Sequence, residues 1–211
     1  LLVTSDENET DYILKSLYRY RGYIETYIQS HPEFLTSLKP ISQDQFAPDI
    51  VRDMIESSTI ACVRPMAAVA GAIAQFVGFE LLKISTNVII ENGGDIFLNT
   101  QKDVHVGLFA GTSPLSEKIH IKIKKEHMPM ALCTSSGTVG HSMSFGLADA
   151  VCIKAKSASL ADATATSLGN KIKSPKDVKA ILNEGLDIPG IIGIVIVIGS
   201  HLGVSGDIEL S

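Results

Sequence analysis

The sequence predicts an α+β fold in which helices pack on a largely antiparallel sheet. Three observations carry this expectation. Segments with helical period fall in two groups, residues 10–83 and 157–184, and strand-like segments run consecutively between and after them. The order is therefore not the alternating strand and helix of a parallel sheet. The stretch KIHIKIKK at 118–125 alternates cleanly, with Ile119, Ile121 and Ile123 inward and His120, Lys122 and Lys124 outward. Such a strand belongs to a sheet wet on one face, which antiparallel sheets tolerate. With 211 residues and 45% hydrophobic composition, the chain suffices for one sizeable core or two closely packed lobes. The expectation is one domain over 1–211, formed as two intertwined lobes. The opening LLVTSDENET has neither an initiating Met nor a signal pattern and reads as a strand already under way, so the expected start lies upstream.

From Thr10 to Ser30, Ile13, Leu17, Tyr20, Ile24, Tyr27 and Ile28 recur at helical spacing, and His31-Pro32 stops the helix. Residues 35–48 are loop, and Ile50, Met54 and Ile55 mark a second helix from about Asp49 to Ser58. A third runs from Pro65 to Lys83, with Pro in its first turn and no charge until Glu80. Its Ala67, Gly71, Ala74 and Gly78 make a smooth stripe that lets another backbone lie close, inside the chain or in a homo-oligomer. Strands follow at 87–91, 96–99, 104–109, 118–125, 130–133 and 150–155. Gly169-Asn170 ends a helix begun at Ser157. Ser174 caps the next, with Pro175 at its first position. Residues 191–199 and 204–210 look like a closing hairpin.

Composition narrows the function. A net charge of -5 with no basic block argues against nucleic acid as a partner. The most apolar run, Ile191 to Ile198, is far short of the roughly 20 residues that cross a bilayer, so no membrane partner is expected. Cys62, Cys133 and Cys152 are too few and too scattered for a disulfide framework or zinc cluster, which makes the cytoplasm the default compartment.

Chemistry concentrates between Cys133 and Asn170, where hydroxyls and acids sit among small residues. Asp162 and Thr166 lie four apart on one helix face and carry the hard oxygens that Mg²⁺ and Ca²⁺ prefer. The competing reading is a capping box of Ser159 and Asp162. Thr134-Ser135-Ser136-Gly137 forms a strand end and polar turn that can aim N–H groups and hydroxyls at a phosphate, or serve as an ordinary tight turn. His141 follows as a candidate proton carrier or as a structural hydrogen-bonder. Glu91-Asn92-Gly93-Gly94-Asp95 reads as a ligand loop or as a hairpin turn with solvated acids. Cys133, among Ala131 and Leu132, reads as packing before nucleophile.

Taken together, PMAAVAGAIAQFVG, ENGGDIFL, CTSSGTVGHSMSFGLADAV and SLADATATSLGN resemble the short prokaryotic ApbE-like proteins. That group is similar, more distantly, to the ApbE flavin transferases, which use Mg²⁺ to cleave FAD and attach FMN to a protein threonine. The resemblance implies an ApbE-like fold, a phosphate-bearing small molecule such as FAD or FMN as ligand, and Mg²⁺ on Asp162 and Thr166. It also implies a backbone carbonyl around Ala70 to Ala74 that completes the metal site. Two departures are visible: no P-x-T-G element follows His141, and Ala74-Gln75-Phe76 stands where the transferases carry A-K-G. These departures imply an alternative, a non-catalytic ligand-binding or accessory protein, for example in sulfur or cofactor metabolism.

Overall fold

A computed structural model describes residues 1–6, 10–137 and 146–211. His141 and its neighbours from Thr138 to Phe145 lie outside the described residues. The chain opens with strand β1 (Leu2–Ser5) and helices α1 (Thr10–Ser30), α2 (Glu33–Thr36) and α3 (Asp49–Ile60). A 3₁₀ turn at Pro65–Ala68 leads into α4 (Val69–Leu81). Five strands follow: β2 (Val88–Asn92), β3 (Asp95–Asn99), β4 (Val104–Gly107), β5 (His120–Ile123) and β6 (Met130–Ser135). Strand β7 (Ala150–Ala155) then precedes α5 (Ala158–Lys171) and α6 (Val178–Leu186), and β8 (Ile191–Ile198), β9 (His201–Gly206) and β10 (Glu209–Leu210) end the chain.

The strands form a seven-stranded sheet in the order β1-β2-β3-β6-β7-β8-β9 and a three-stranded sheet in the order β10-β5-β4. Every pairing in both is antiparallel, as the alternation at 118–125 predicts. The period-two pattern of the central strands divides their side chains between two cores. Phe97, Ala131, Cys133, Val151, Ile153, Ile194 and Ile196 join the helices on one face. Leu98, Met130, Leu132, Cys152, Val195 and Val197 meet Leu108, Ile119, Ile121 and Ile123 of the small-sheet layer on the other. Among the described residues no single helix is long and apolar enough to cross a membrane.

The smooth stripe of α4 is consumed inside the chain. A Cβ on Gly71 would stand 2.2 Å from the Ala158 carbonyl oxygen, and one on Gly78 would strike the Phe97 ring at 2.2 Å. Only glycine lets α4 approach α5 and β3 this closely. The outer face of α4 is held by Glu80, which accepts from Tyr20 (2.9 Å) and Tyr12 (3.2 Å) and pairs with Arg19 and Lys83. These donors hold its carboxyl at about 2, below the usual range. At the sheet edge, Asp6 accepts from Ser85, Thr86 and Asn87 and fastens the end of β1 to the entry of β2.

One expected strand is divided. The segment 204–210 turns at Gly206 (φ +78), so β9 stays beside β8 while β10 crosses to β5 in the other sheet. Sequence alternation is blind to a left-handed glycine that moves a strand between sheets.

Candidate functional site

A cavity of about 550 Å³ lies where the start of α4, the face of α5, the β2–β3 turn and the end of β6 converge under the small sheet. The β2–β3 connection is a two-residue hairpin turn. Asn92 pairs with Asp95, and Gly93 (φ +66) and Gly94 (φ +101) supply the left-handed conformations the turn needs. The hairpin turn is thus observed, but its acids are not both solvated: Asp95 is buried, and the turn forms part of the cavity wall. Asn92 donates through Nδ2 to the Ala70 carbonyl at 3.0 Å, fixing the turn to the first residues of α4.

Thr134, Ser135 and Ser136 at the end of β6 supply the adjoining wall. Gly137 lies off that wall. Its N–H donates to the Ala148 carbonyl, and an added Cβ would stand 2.2 Å from the Gly146 oxygen. Helix α5 presents Asp162 and Thr166, one turn apart, and both are half-buried on the cavity side. The only other residue of its last three turns reaching comparable exposure before Lys171 is Asn170, so the cavity edge of α5 is narrow and polar.

The Ser159–Asp162 capping box does not form. Helix α5 begins two residues earlier than that box requires, with Ser157 as N-cap accepting from the Leu160 N–H at 3.2 Å. Ser159 is buried and donates instead to Asp53. Asp162 caps a different helix: its Oδ2 accepts from the Gly71 N–H at 2.9 Å, and the Ala70 N–H also supports it. A carboxylate there complements the positive end of α4.

Asp95 stands beside Asp162. Its Oδ1 accepts from the Thr134 N–H at 3.2 Å, and the residue is only 6% exposed. Burial, and then the charge of Asp162, pushes the Asp95 carboxyl well above the usual carboxylate range. Burial pushes Asp162 up to about 7, against the pull of the Gly71 and Ala70 N–H groups. Two acids forced together in low dielectric resist double ionisation unless a cation joins them.

The donor set fits a hard divalent ion. Asp162, Thr166, Asp95 and the Ala70 carbonyl offer oxygen only, and Mg²⁺ takes one or two carboxylates while keeping waters or ligand phosphates. Among the described residues no group of three or more His, Cys, Asp or Glu forms a ready-made cage, so such an ion would depend on those waters or phosphates. Cys133 is fully buried, its Sγ lies 3.3 Å from the Ala158 carbonyl, and burial and Asp95 raise its thiol well above the ordinary value. It packs rather than reacts.

Sequence reasoning missed the rest of the cavity. Val106, Leu108 and Phe109 lean in from the small-sheet layer, and Phe109 is 54% exposed. Arg64, just ahead of Pro65, also faces the cavity. The available signal was an isolated arginine opening a segment without another charge until Glu80.

A model of the family described as AbpE bacteria matches residues 1–189. A UPF0280 protein of Methanococcus aeolicus is 45% identical over 212 residues, covering 98% of this chain and 86% of the relative. A UPF0280 protein of Methanothermobacter thermautotrophicus is 46% identical over 187 residues, covering 86% of this chain and 72% of the relative. Among solved structures, the apo form of the flavinyl transferase ApbE of Pseudomonas stutzeri gives a TM-score of 0.59 at 13% identity, covering 96% of this chain and 88% of that one. The last likeness is one of fold, and it agrees with the ApbE-like architecture that the motifs imply.

Proposed function

This chain belongs to the family described as AbpE bacteria, and on that premise we propose that it binds a phosphate-bearing small molecule, FAD or FMN first among candidates, together with a divalent metal such as Mg²⁺. The observation that carries this reading is the convergence of three separate segments, Glu91–Asp95, Thr134–Ser136 and the pair Asp162 and Thr166, on one cavity. Asp162 and Thr166 would hold the metal, with Asp95 and the Ala70 carbonyl beside them. When bound, the metal supplies neutralisation of charge on the phosphate. The hydroxyls of Thr134, Ser135 and Ser136 orient the phosphate, and Asn92 keeps the hairpin turn closed over the α4 terminus. The apolar wall of Val106 and Leu108 excludes water from the remainder of the ligand. In the catalytic form of the reading, FMN passes to an acceptor hydroxyl, AMP leaves, and His141 takes the hydroxyl proton. Three free cysteines are compatible with a reducing, cytoplasmic setting.

A second reading, a ligand-binding or accessory protein without transfer activity, is favoured by Gln75. At the position of the transferases' lysine, this side chain turns away from the cavity, donating to Asp53 at 3.3 Å and accepting from the Ala158 N–H at 2.6 Å. Titration calorimetry with FAD and FMN, with and without Mg²⁺, combined with chromatographic detection of AMP, separates the readings. Binding with AMP release supports transfer, and binding alone supports the accessory protein. Absence of both sinks the flavin assignment.

A further inference from the structure

The cavity has two electrostatic poles, and only one of them belongs to the metal. Arg19, Arg21 and Arg52 each pair with a carboxylate, Glu80, Glu25 and Asp49 respectively. Arg64 is half-buried on the cavity wall, yet among the described residues it has no ion pair and no hydrogen bond from its guanidinium. It does not pair with Asp95 or Asp162, although all three line the same space. Its backbone is fixed: Val63 and Pro65 on either side are buried, and the Arg64 carbonyl accepts from the Ala67 N–H at 3.0 Å. The conformation at φ -68, ψ 152 is the extended one required before proline. A permanently charged fork is thus held half-buried at the cavity wall with no protein acceptor on its donors among the described residues. Withdrawing such a group from water is costly unless an anion completes it.

We propose that Arg64 is a metal-independent anchor for a phosphate group of the ligand. This rests on the reading that the cavity takes a phosphate-bearing ligand, and it divides that ligand's affinity in two. One part comes from Arg64 and survives chelation of metal. The other depends on a divalent cation at Asp162. A ligand with two linked phosphates satisfies both poles, so diphosphates are the favoured class over monophosphates.

The test uses inorganic pyrophosphate and ADP with the wild-type chain, Arg64→Gln, Arg64→Lys and Asp162→Asn, each in EDTA and in Mg²⁺, read by calorimetry and thermal shift. In EDTA the wild type should bind both probes, Arg64→Gln should weaken them at least about tenfold, and Arg64→Lys should lie between. Asp162→Asn should bind at least as tightly as the wild type in EDTA, because a repelling carboxylate is removed, and lack the Mg²⁺-dependent gain. An unchanged melting temperature of ligand-free Arg64→Gln shows that folding is intact. If that variant does not fold, the graded loss in Arg64→Lys decides. Equal affinity of Arg64→Gln and wild type in EDTA, or no binding by the wild type there, overturns the anchor. The flavin reading fails separately: Arg64-dependent pyrophosphate binding without FAD binding removes the flavin and keeps the anchor. FAD and Mg²⁺ binding indifferent to Arg64 does the reverse.

Discussion

Helices α4 and α5 are tied to each other twice through a carboxylate, and the two ties are built differently. Asp53, from α3, receives both the Ser159 hydroxyl and the Gln75 amide, while Gln75 accepts from the Ala158 N–H. Every member of that cluster is answered by a neutral protein group. Burial raises the Asp53 carboxyl, and the Ser159 hydroxyl opposes the rise. Asp162 receives only backbone N–H groups of α4, keeps an edge on the cavity and faces a second acid, Asp95. A carboxylate answered by neutral donors completes a scaffold. One that meets another carboxylate across a cavity is an arrangement completed by a cation.

The harshest way to break the comparison is Gly71→Ala. The new methyl group would stand 2.2 Å from the Ala158 oxygen and 2.9 Å from the Asp162 Cβ, forcing both ties open together. The expected loss is about 3 kcal/mol, measured by denaturant unfolding, with ligand binding lost alongside it. Asp53→Ala separates stability from binding. It leaves the Ser159 hydroxyl and the Gln75 amide buried without their acceptor and should cost about 2 kcal/mol. Metal-dependent binding in calorimetry should stay within about twofold of wild type, whereas Asp162→Ala should abolish it. Equal damage to binding from both variants would dissolve the distinction between scaffold and site.

The pH response sharpens it. Asp162 rises from 3.8 to about 7 on folding, so the folded chain holds a proton that the unfolded chain has already released. Its stability contribution is therefore complete below about pH 4 and is lost as pH climbs through 7. Between pH 4 and 8 the metal-free protein should lose up to about 4 kcal/mol on this account, and Asp162→Asn should flatten the profile. Added Mg²⁺ should restore stability at pH 8 in the wild type and not in that variant. Thermal melts across the range, with and without the ion, check both statements.

Much of this was legible locally. The period of Thr10–Ser30, the alternation of Ile119, Ile121 and Ile123, the Gly93-Gly94 turn and the helix face shared by Asp162 and Thr166 all depend on near neighbours. What escaped depends on distance along the chain. Asp162 reaches an N–H 91 residues away, and no spacing within α5 encodes that partner. Arg64 has no periodic companions, so only the closing of the fold over it identifies it as cavity wall. Leu108 and Phe109 read as the end of a strand at 104–109, but β4 stops at Gly107, and the two become cavity wall only once the small sheet is laid over the hairpin turn.

The mildest prediction bears on the cap itself. Ser159 and Asp162 have the spacing of a capping box, yet the hydroxyl that receives an α5 N–H belongs to Ser157. Ser157→Ala should cost about 1 kcal/mol and leave metal-dependent binding untouched, because the residue lies off the cavity wall. Asp162→Asn should show the opposite pattern, with metal-dependent binding lost and stability at pH 8 equal to or above wild type, since it removes one of two repelling acids. Should Ser157→Ala prove neutral while Asp162→Asn costs about 1 kcal/mol at pH 8, the α4 cap supplied by Asp162 would outweigh its repulsion by Asp95. The case for a cation drawn from that repulsion would then fall with that result.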